Sequence, residues 1–373
     1  MNAPPLPIGC LVRIDKPALQ AVIDRLKTLG YRVIGPCVAE AAIVYGDLDK
    51  VEQLPIGYID EQEGGRYRLI KTESQGWFDH VVGPHSLKNY LFPPRTTMLE
   101  SIRIKGAWQM KQPPPPQERL AVLGVRSCDL HALAVQDRVF LGGPYVDPDY
   151  QARRENLFLV AVNCGRAAAT CFCTSMGTGP AVRGGADLAL FELDDCFVVE
   201  VGSEAGSEVI TAAPWRPCTT QEIGEAHKVP QRAEKQIHRR LDTRGIRDLL
   251  LGNLEHPRWD EVAKRCLSCT NCTMVCPTCF CSSVQEVSNL SGDTARRERV
   301  WDSCFNDEHS YMNSGTIRKS IASRYRQWLT HKLASWIDQF GTSGCTGCGR
   351  CITWCPVGID LTEEVAALRG EKT

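Results

Sequence analysis

Cys266-Leu-Ser-Cys269-Thr-Asn-Cys272-Thr-Met-Val-Cys276-Pro277 and Cys345-Thr-Gly-Cys348-Gly-Arg-Cys351-Ile-Thr-Trp-Cys355-Pro356 are two copies of one spacing, C-x2-C-x2-C-x3-C-P. It is the bacterial ferredoxin run for [4Fe–4S] clusters, in which the fourth cysteine of each run serves the other cube. Three cysteines in a tight turn reach three corner irons; the fourth, beyond a further turn, points to the neighbouring cube. The spacing therefore predicts Cys266, Cys269, Cys272 and Cys355 on one cluster and Cys345, Cys348, Cys351 and Cys276 on a second. Pro277 and Pro356 stop the local turn and remove a backbone donor. Zinc ribbons also use C-x2-C, but with two cysteines per knuckle and no terminal proline, so two full four-cysteine runs favour clusters.

Outward from these runs, the cysteines form a gradient. Of 19 in 373 residues, two fall in residues 1–127, six in 128–218 and eleven in 266–355. A chain of this length needs no disulfides to hold a core, and the first ten residues, MNAPPLPIGC, lack the basic and apolar regions of an export leader. A reducing, cytoplasmic setting with metal-bound cysteines is expected. Lys and Arg total 43 against 44 Asp and Glu, which calls for no nucleic-acid surface, and no apolar run is long enough to span a membrane.

The chain reads as α+β. A mixed α/β domain over residues 1–202 precedes a linker at 203–235 and an α-helical, ferredoxin-like dicluster domain at 236–373. Lys16 to Gly30 has helical apolar spacing at Leu19, Val22, Ile23 and Leu26. Tyr31–Ile34, Ala42–Tyr45, Tyr67–Ile70, Arg119–Val125, Leu157–Val162 and Cys196–Val201 read as strands. Residues 203–235 are rich in Gly, Ser, Pro and charge, and Ala233–Leu251 reads as a basic helix. The stretch between the two runs is too long for a compact ferredoxin and forms an insertion. It contains a single expected helix, Thr316–Phe340, with an apolar stripe, a basic face that includes Arg324, Arg326 and Lys332, and Gly341 as cap.

Two of the apolar strands end just before a cysteine, Cys128 and Cys164, and strand C-termini in α/β sheets are where ligands gather. With Cys171 and Cys173 one loop further on, these four are candidates for a third [4Fe–4S] cluster, and Gly177 and Gly179 would let backbone N–H groups approach its sulfurs. Thr170-Cys171-Phe172-Cys173 recurs as Thr278-Cys279-Phe280-Cys281. That copy, with Cys304, leaves three more cysteines of the C-terminal half without a cluster; they are alternative ligands, part of a further cluster or, as the favoured expectation, simple packing near the cubes. The eight histidines form no H-x3-H pair and read as surface or packing residues. No dinucleotide fingerprint, Walker motif or nucleophile elbow appears, so the chain can carry electrons but shows no catalytic residue of its own.

Gly83-Pro-His-Ser86-Leu-Lys88, Leu91-Phe-Pro-Pro94, Val125-Arg-Ser-Cys128-Asp-Leu-His-Ala132, Thr170 to Pro180 and both ferredoxin runs together resemble the beta subunit of soluble NAD(P)-linked [NiFe] hydrogenases, the sulfhydrogenases. The corresponding iron–sulfur subunit of anaerobic sulfite reductase is similar in the same places. The first resemblance implies a non-catalytic iron–sulfur electron-transfer subunit. Its partners would be a gamma subunit holding FAD and binding the nicotinamide, and the small and large [NiFe] subunits. The alternatives are a component of an anaerobic sulfite reductase and an iron–sulfur scaffold or sensor that transfers no electrons.

Overall fold

In a computed structural model, residues 5–371 are described; the first four residues of the segment read for a leader lie outside them. The strands, numbered in chain order, are β1 (Leu11–Asp15), β2 (Tyr31–Ala39), β3 (Ala42–Asp47), β4 (Tyr58–Glu63), β5 (Arg66–Lys71), β6 (Arg95–Ile104), β7 (Ala107–Lys111), β8 (Arg119–Val125), β9 (Leu157–Val162), β10 (Leu188–Glu192), β11 (Cys196–Val201), β12 (Trp215–Pro217), β13 (Ser282–Ser288) and β14 (Thr294–Trp301). An eight-stranded mixed sheet runs β12-β1-β11-β10-β9-β8-β2-β3. Its centre, β10-β9-β8-β2, is parallel. The central strands are buried on both faces, which is why RLAVLGV and LFLVAV read as unbroken apolar runs. Leu19, Val22, Ile23 and Leu26 of the helix Leu19–Thr28 are fully buried against one face, each contributing about 1.5–3 kcal/mol of apolar burial.

Residues 203–235 depart from the expected linker. Ser203 caps the helix Glu204–Ile210, β12 pairs with β1, and Thr219 and Glu222 form a capping box that opens the helix Thr220–Gln236. Ala226 and Val229 of that helix pack with Phe191 and Val198 of the sheet. High polarity suggested a loop here, but one narrow apolar stripe is enough to seat a helix on a sheet.

The insertion between the ferredoxin runs is not purely helical. β13 and β14 form a hairpin, and β14 pairs with β6, giving a second sheet, β13-β14-β6-β7, drawn from both halves of the chain. The 236–373 region is thus tied by backbone bonds to strands at residues 95–111. The expected Thr316–Phe340 helix is broken. It runs Ile321–Thr330, passes through a π-helical turn at His331–Ser335, resumes at Trp336–Phe340 and ends at Gly341 in the left-handed conformation. Its basic face is not free: Arg324 is buried and paired with Asp307, and Lys332 is buried. Ala233–Leu251 is likewise helical only to Gln236 and again over Ile246–Gly252. The C-terminal region has its own apolar core, in which Trp259, Tyr325, Trp328, Leu329 and Leu333 pack with Phe172 from the N-terminal half. Among the described residues no helix is long and apolar enough to cross a membrane.

Candidate iron–sulfur sites

Each ferredoxin run folds by the same backbone device. Ser268 and Thr270 in the first run, and Gly347 and Gly349 at the matching places in the second, have φ of 51°, 69°, 63° and 78°. Alternating left-handed residues turn successive N–H groups into one concavity, the arrangement that cradles anions and iron–sulfur centres. The Ser268 N–H donates to Cys266 Sγ at 3.5 Å, and the Gly347 N–H to Cys345 Sγ at 3.4 Å. Beyond the second run, the Ile359 N–H donates to Cys355 Sγ at 3.3 Å. A short helix follows each turn, Asn271–Met274 and Arg350–Thr353.

The thiols gather in two groups around these turns. Cys266, Cys269, Cys272 and Cys355 line one apolar cavity under Phe305, Tyr325 and Trp328; Cys351 reaches its wall. Burial pushes the Cys272 thiol well up, and Cys266, Cys355 and Cys269 add to the shift. Cys276 joins Cys345, Cys348 and Cys351. Burial raises Cys345 to about 12, opposed by Lys332 and reinforced by Cys348 and Cys276. Four thiols gathered in a dry site repel as thiolates, so binding a cationic iron–sulfur core resolves the crowding. Among the described residues no group of three His, Cys, Asp or Glu side chains is spaced to hold a single metal ion.

The third set also converges. β8 and β9 are parallel neighbours, with Val125 opposite Ala161, so Cys128 and Cys164 emerge at the same sheet edge. Cys128 lies in the first turn of the helix Ser127–Phe140, and Cys171 and Cys173 fold back beside them. Burial raises Cys128, Cys171 and Cys173, Cys171 to about 12. Cys164 is raised too, with Arg126 pulling the other way.

Two contacts that periodicity could not disclose weld this set to the second ferredoxin run. A Cβ on Gly347 would stand 2.7 Å from the backbone N and Cα of Cys173, and one on Gly349 would stand 2.5 Å from Thr170 O. The Phe172 N–H donates to Gly347 O at 2.9 Å, and Thr178 Oγ1 to Thr346 O at 2.6 Å. Cys348 accordingly lies near Cys128, Cys171 and Cys173. The second contact is a buried fork. Arg350 Nη1 and Nη2 reach Asp129 Oδ1 and Oδ2 at 2.7 and 2.9 Å, while Nε and Nη2 donate to Gly83 O and His85 O. Arg350 adjoins Cys351 and Asp129 adjoins Cys128, so one ion pair locks two thiol-bearing segments together.

The two cysteines of the repeated segment, and Cys304, lie beside the ferredoxin-type sets. Cys279 stands beside Cys276, and Cys281 stands beside Cys304 and His309. Lys332 Nζ reaches Cys276 Sγ at 3.1 Å and Cys279 Sγ at 3.6 Å. The sequence signal for this fourth group was the repeated Thr-Cys-Phe-Cys; His309 gave none.

Paired ferredoxin turns and interleaved thiols define an iron–sulfur protein of the dicluster class. Residues 265–359 match the family described as 4Fe-4S dicluster domain. Over 366 residues, 96% of this chain and 98% of the relative, the sequence is 33% identical to sulfhydrogenase 2 subunit beta of Pyrococcus furiosus. The chain belongs to the sulfhydrogenase beta-subunit family. No solved structure matches it significantly.

Proposed function

We propose that this chain is the electron-transfer subunit of a cytoplasmic, multisubunit, NAD(P)-linked [NiFe] hydrogenase of the sulfhydrogenase type. It exchanges electrons with a gamma subunit that carries FAD and binds the nicotinamide, and serves the small and large [NiFe] subunits. Three [4Fe–4S] clusters belong to it, on Cys266, Cys269, Cys272 and Cys355; on Cys276, Cys345, Cys348 and Cys351; and on Cys128, Cys164, Cys171 and Cys173. When bound, the clusters supply one-electron transfer over a wide range of potentials. The observation that carries this reading is the contiguity of the three thiol sets, with Gly347 pressed against Cys173 and Arg350 gripping Asp129. The chain's residues hold the sulfurs, donate N–H groups to them and exclude water, all of which tune a potential.

The test is the anaerobically purified complex. Nickel and flavin should co-purify, and NADPH or hydrogen should bleach cluster absorption within turnover time. Sirohaem in place of nickel refutes the hydrogenase assignment in favour of sulfite reduction, and failure to bleach refutes electron transfer in favour of a scaffold. The three proposed sets alone hold about twelve irons; Cys173→Ser should remove about four of them with the ferredoxin signals intact, and Cys269→Ala or Cys348→Ala should each remove one ferredoxin signal. If Cys173→Ser costs no iron, the third set is ordinary packing.

A further inference from the structure

The hairpin β13–β14 does more than complete a sheet. Its register sets Ser282 opposite Trp301, so the residues just outside it, Cys281 and Asp302 to Cys304, face each other across the open end; the Asp302 N–H donates to Cys281 O at 2.9 Å. Phe280 is held in an aromatic group with Phe140, Trp336 and Phe340, and Cys279 and Cys281 flank it. Cys304 lies near both Cys281 and Cys279. His309 completes the group beside Cys281, and its Nδ1 is 2.8 Å from Asp302 Oδ2. A carboxylate on Nδ1 fixes the ring and leaves the Nε2 lone pair for a metal, the usual arrangement behind a ligating histidine.

A second, independent observation says what kind of group belongs there. Two lysines are buried at this place, Lys88 at 3% and Lys332 at 4% exposure. Lys88 Nζ donates to Thr273 O and Met274 O at 3.1 and 3.0 Å and lies 3.9 Å above the Trp301 ring. Lys332 Nζ donates to Gly344 O at 3.0 Å as well as meeting Cys276 and Cys279, and it enters from the π-helical turn. A π-turn inside an α-helix is itself a frequent mark of a functional position. Among the ion pairs of the described residues, neither lysine has a carboxylate. A buried ammonium without an opposite charge costs several kcal/mol. Lys332 meets Cys276 and Cys279, and Lys88 faces Cys279, Cys276 and Cys281. An anionic cluster at this place would add to the negative charge that the Cys276 cluster already brings beside both cations.

We propose that Cys279, Cys281, Cys304 and His309 bind a fourth iron–sulfur cluster, beyond the three assigned above, with His309 oriented by Asp302 and the cluster's charge offset by Lys88 and Lys332. The centre lies against both ferredoxin-type sets, since Cys304 neighbours Cys272 and Cys279 neighbours Cys276. One imidazole in place of a thiolate makes the cluster less negative and raises its potential, as histidine ligation does in Rieske centres.

The experiment uses the full chain, prepared anaerobically, with iron and zinc analysis and pulsed EPR of the reduced protein. Wild type should hold more than about twelve irons and show a strong histidine nitrogen coupling on one signal. His309→Cys should keep the iron but lose that coupling and lower that centre's potential. Cys281→Ser combined with Cys304→Ala should lose about two to four irons while the ferredoxin signals persist. The retained iron of His309→Cys separates lost ligation from misfolding. The proposal is overturned if the double variant holds wild-type iron, if His309→Cys leaves the nitrogen coupling unchanged, or if stoichiometric zinc disappears with Cys281 and Cys304. These outcomes leave the three-cluster reading standing, because its signals are followed separately.

Discussion

Replacing Arg350 by Met removes the cation of a pair whose two side chains are each 1% exposed. Methionine fills much of the space and leaves Asp129 buried beside Cys128 with no counter-charge. Removing one partner of such a pair costs about 3–5 kcal/mol, and the carbonyls of Gly83 and His85, which also lose donors, push the cost toward the upper end. With a urea m-value near 3 kcal/mol/M, the unfolding midpoint should fall by about 1–1.7 M. The assay is anaerobic urea unfolding, followed at once by cluster absorbance and by tryptophan fluorescence. Arg350→Met combined with Asp129→Leu should recover about 1–3 kcal/mol relative to the sum of the single changes, because no buried charge is left behind. A shift under about 0.3 M for Arg350→Met, or strict additivity in the double variant, would refute the claim that this pair locks the two cysteine segments together.

Gly347→Ala puts a Cβ 2.7 Å from the Cys173 backbone at a left-handed residue, so about four irons should be lost from the Cys173 set before the first ferredoxin set is affected; element analysis with EPR checks this. Thr219→Ala removes the cap of the helix Thr220–Gln236 and should cost about 1 kcal/mol of thermal or urea stability with iron content unchanged. Arg324→Glu places a carboxylate at a buried position and breaks the pair with the exposed Asp307, so it should lower the urea midpoint of the isolated chain by about 1 M.

What sequence spacing disclosed was local. Two cysteine runs announced themselves because cluster ligation demands fixed intervals, and the strands β8 and β9 because burial on both faces removes polar residues from consecutive positions. Their parallel pairing, which brings Cys128 and Cys164 to the same end of the sheet, appears only in the structure. The capped helix at 220–236 was hidden because its buried face is small, chiefly Ala226, Val229 and Ala233, amid charged residues. β6, β7, β13 and β14 were hidden for a related reason. Their sheet buries little on either face, as exposed Trp108, Met110 and Val284 show, so their alternation is weak. The π-turn at Lys332 leaves no mark in an apolar stripe that continues on both sides of it.

The charged residues depart most from ordinary expectation, and the physical origin is specific. Arg350, Lys88, Lys332 and Arg324 are cations of the kinds that are ordinarily exposed. All four are buried. A dense array of thiols changes the rule: once thiolates bind iron, the interior gains negative charge, and nearby cations become the partners that let it stay dry. Arg350 answers to Asp129 beside the second and third sets, and Lys332 and Lys88 to Cys276 and the thiols that follow it. A lysine buried beside several thiols with no carboxylate in reach fits the negative charge of a bound cluster. Lys88 faces Cys276 of the second set together with Cys279 and Cys281, so the ferredoxin-type cluster and the proposed fourth centre share the neutralisation of one buried cation.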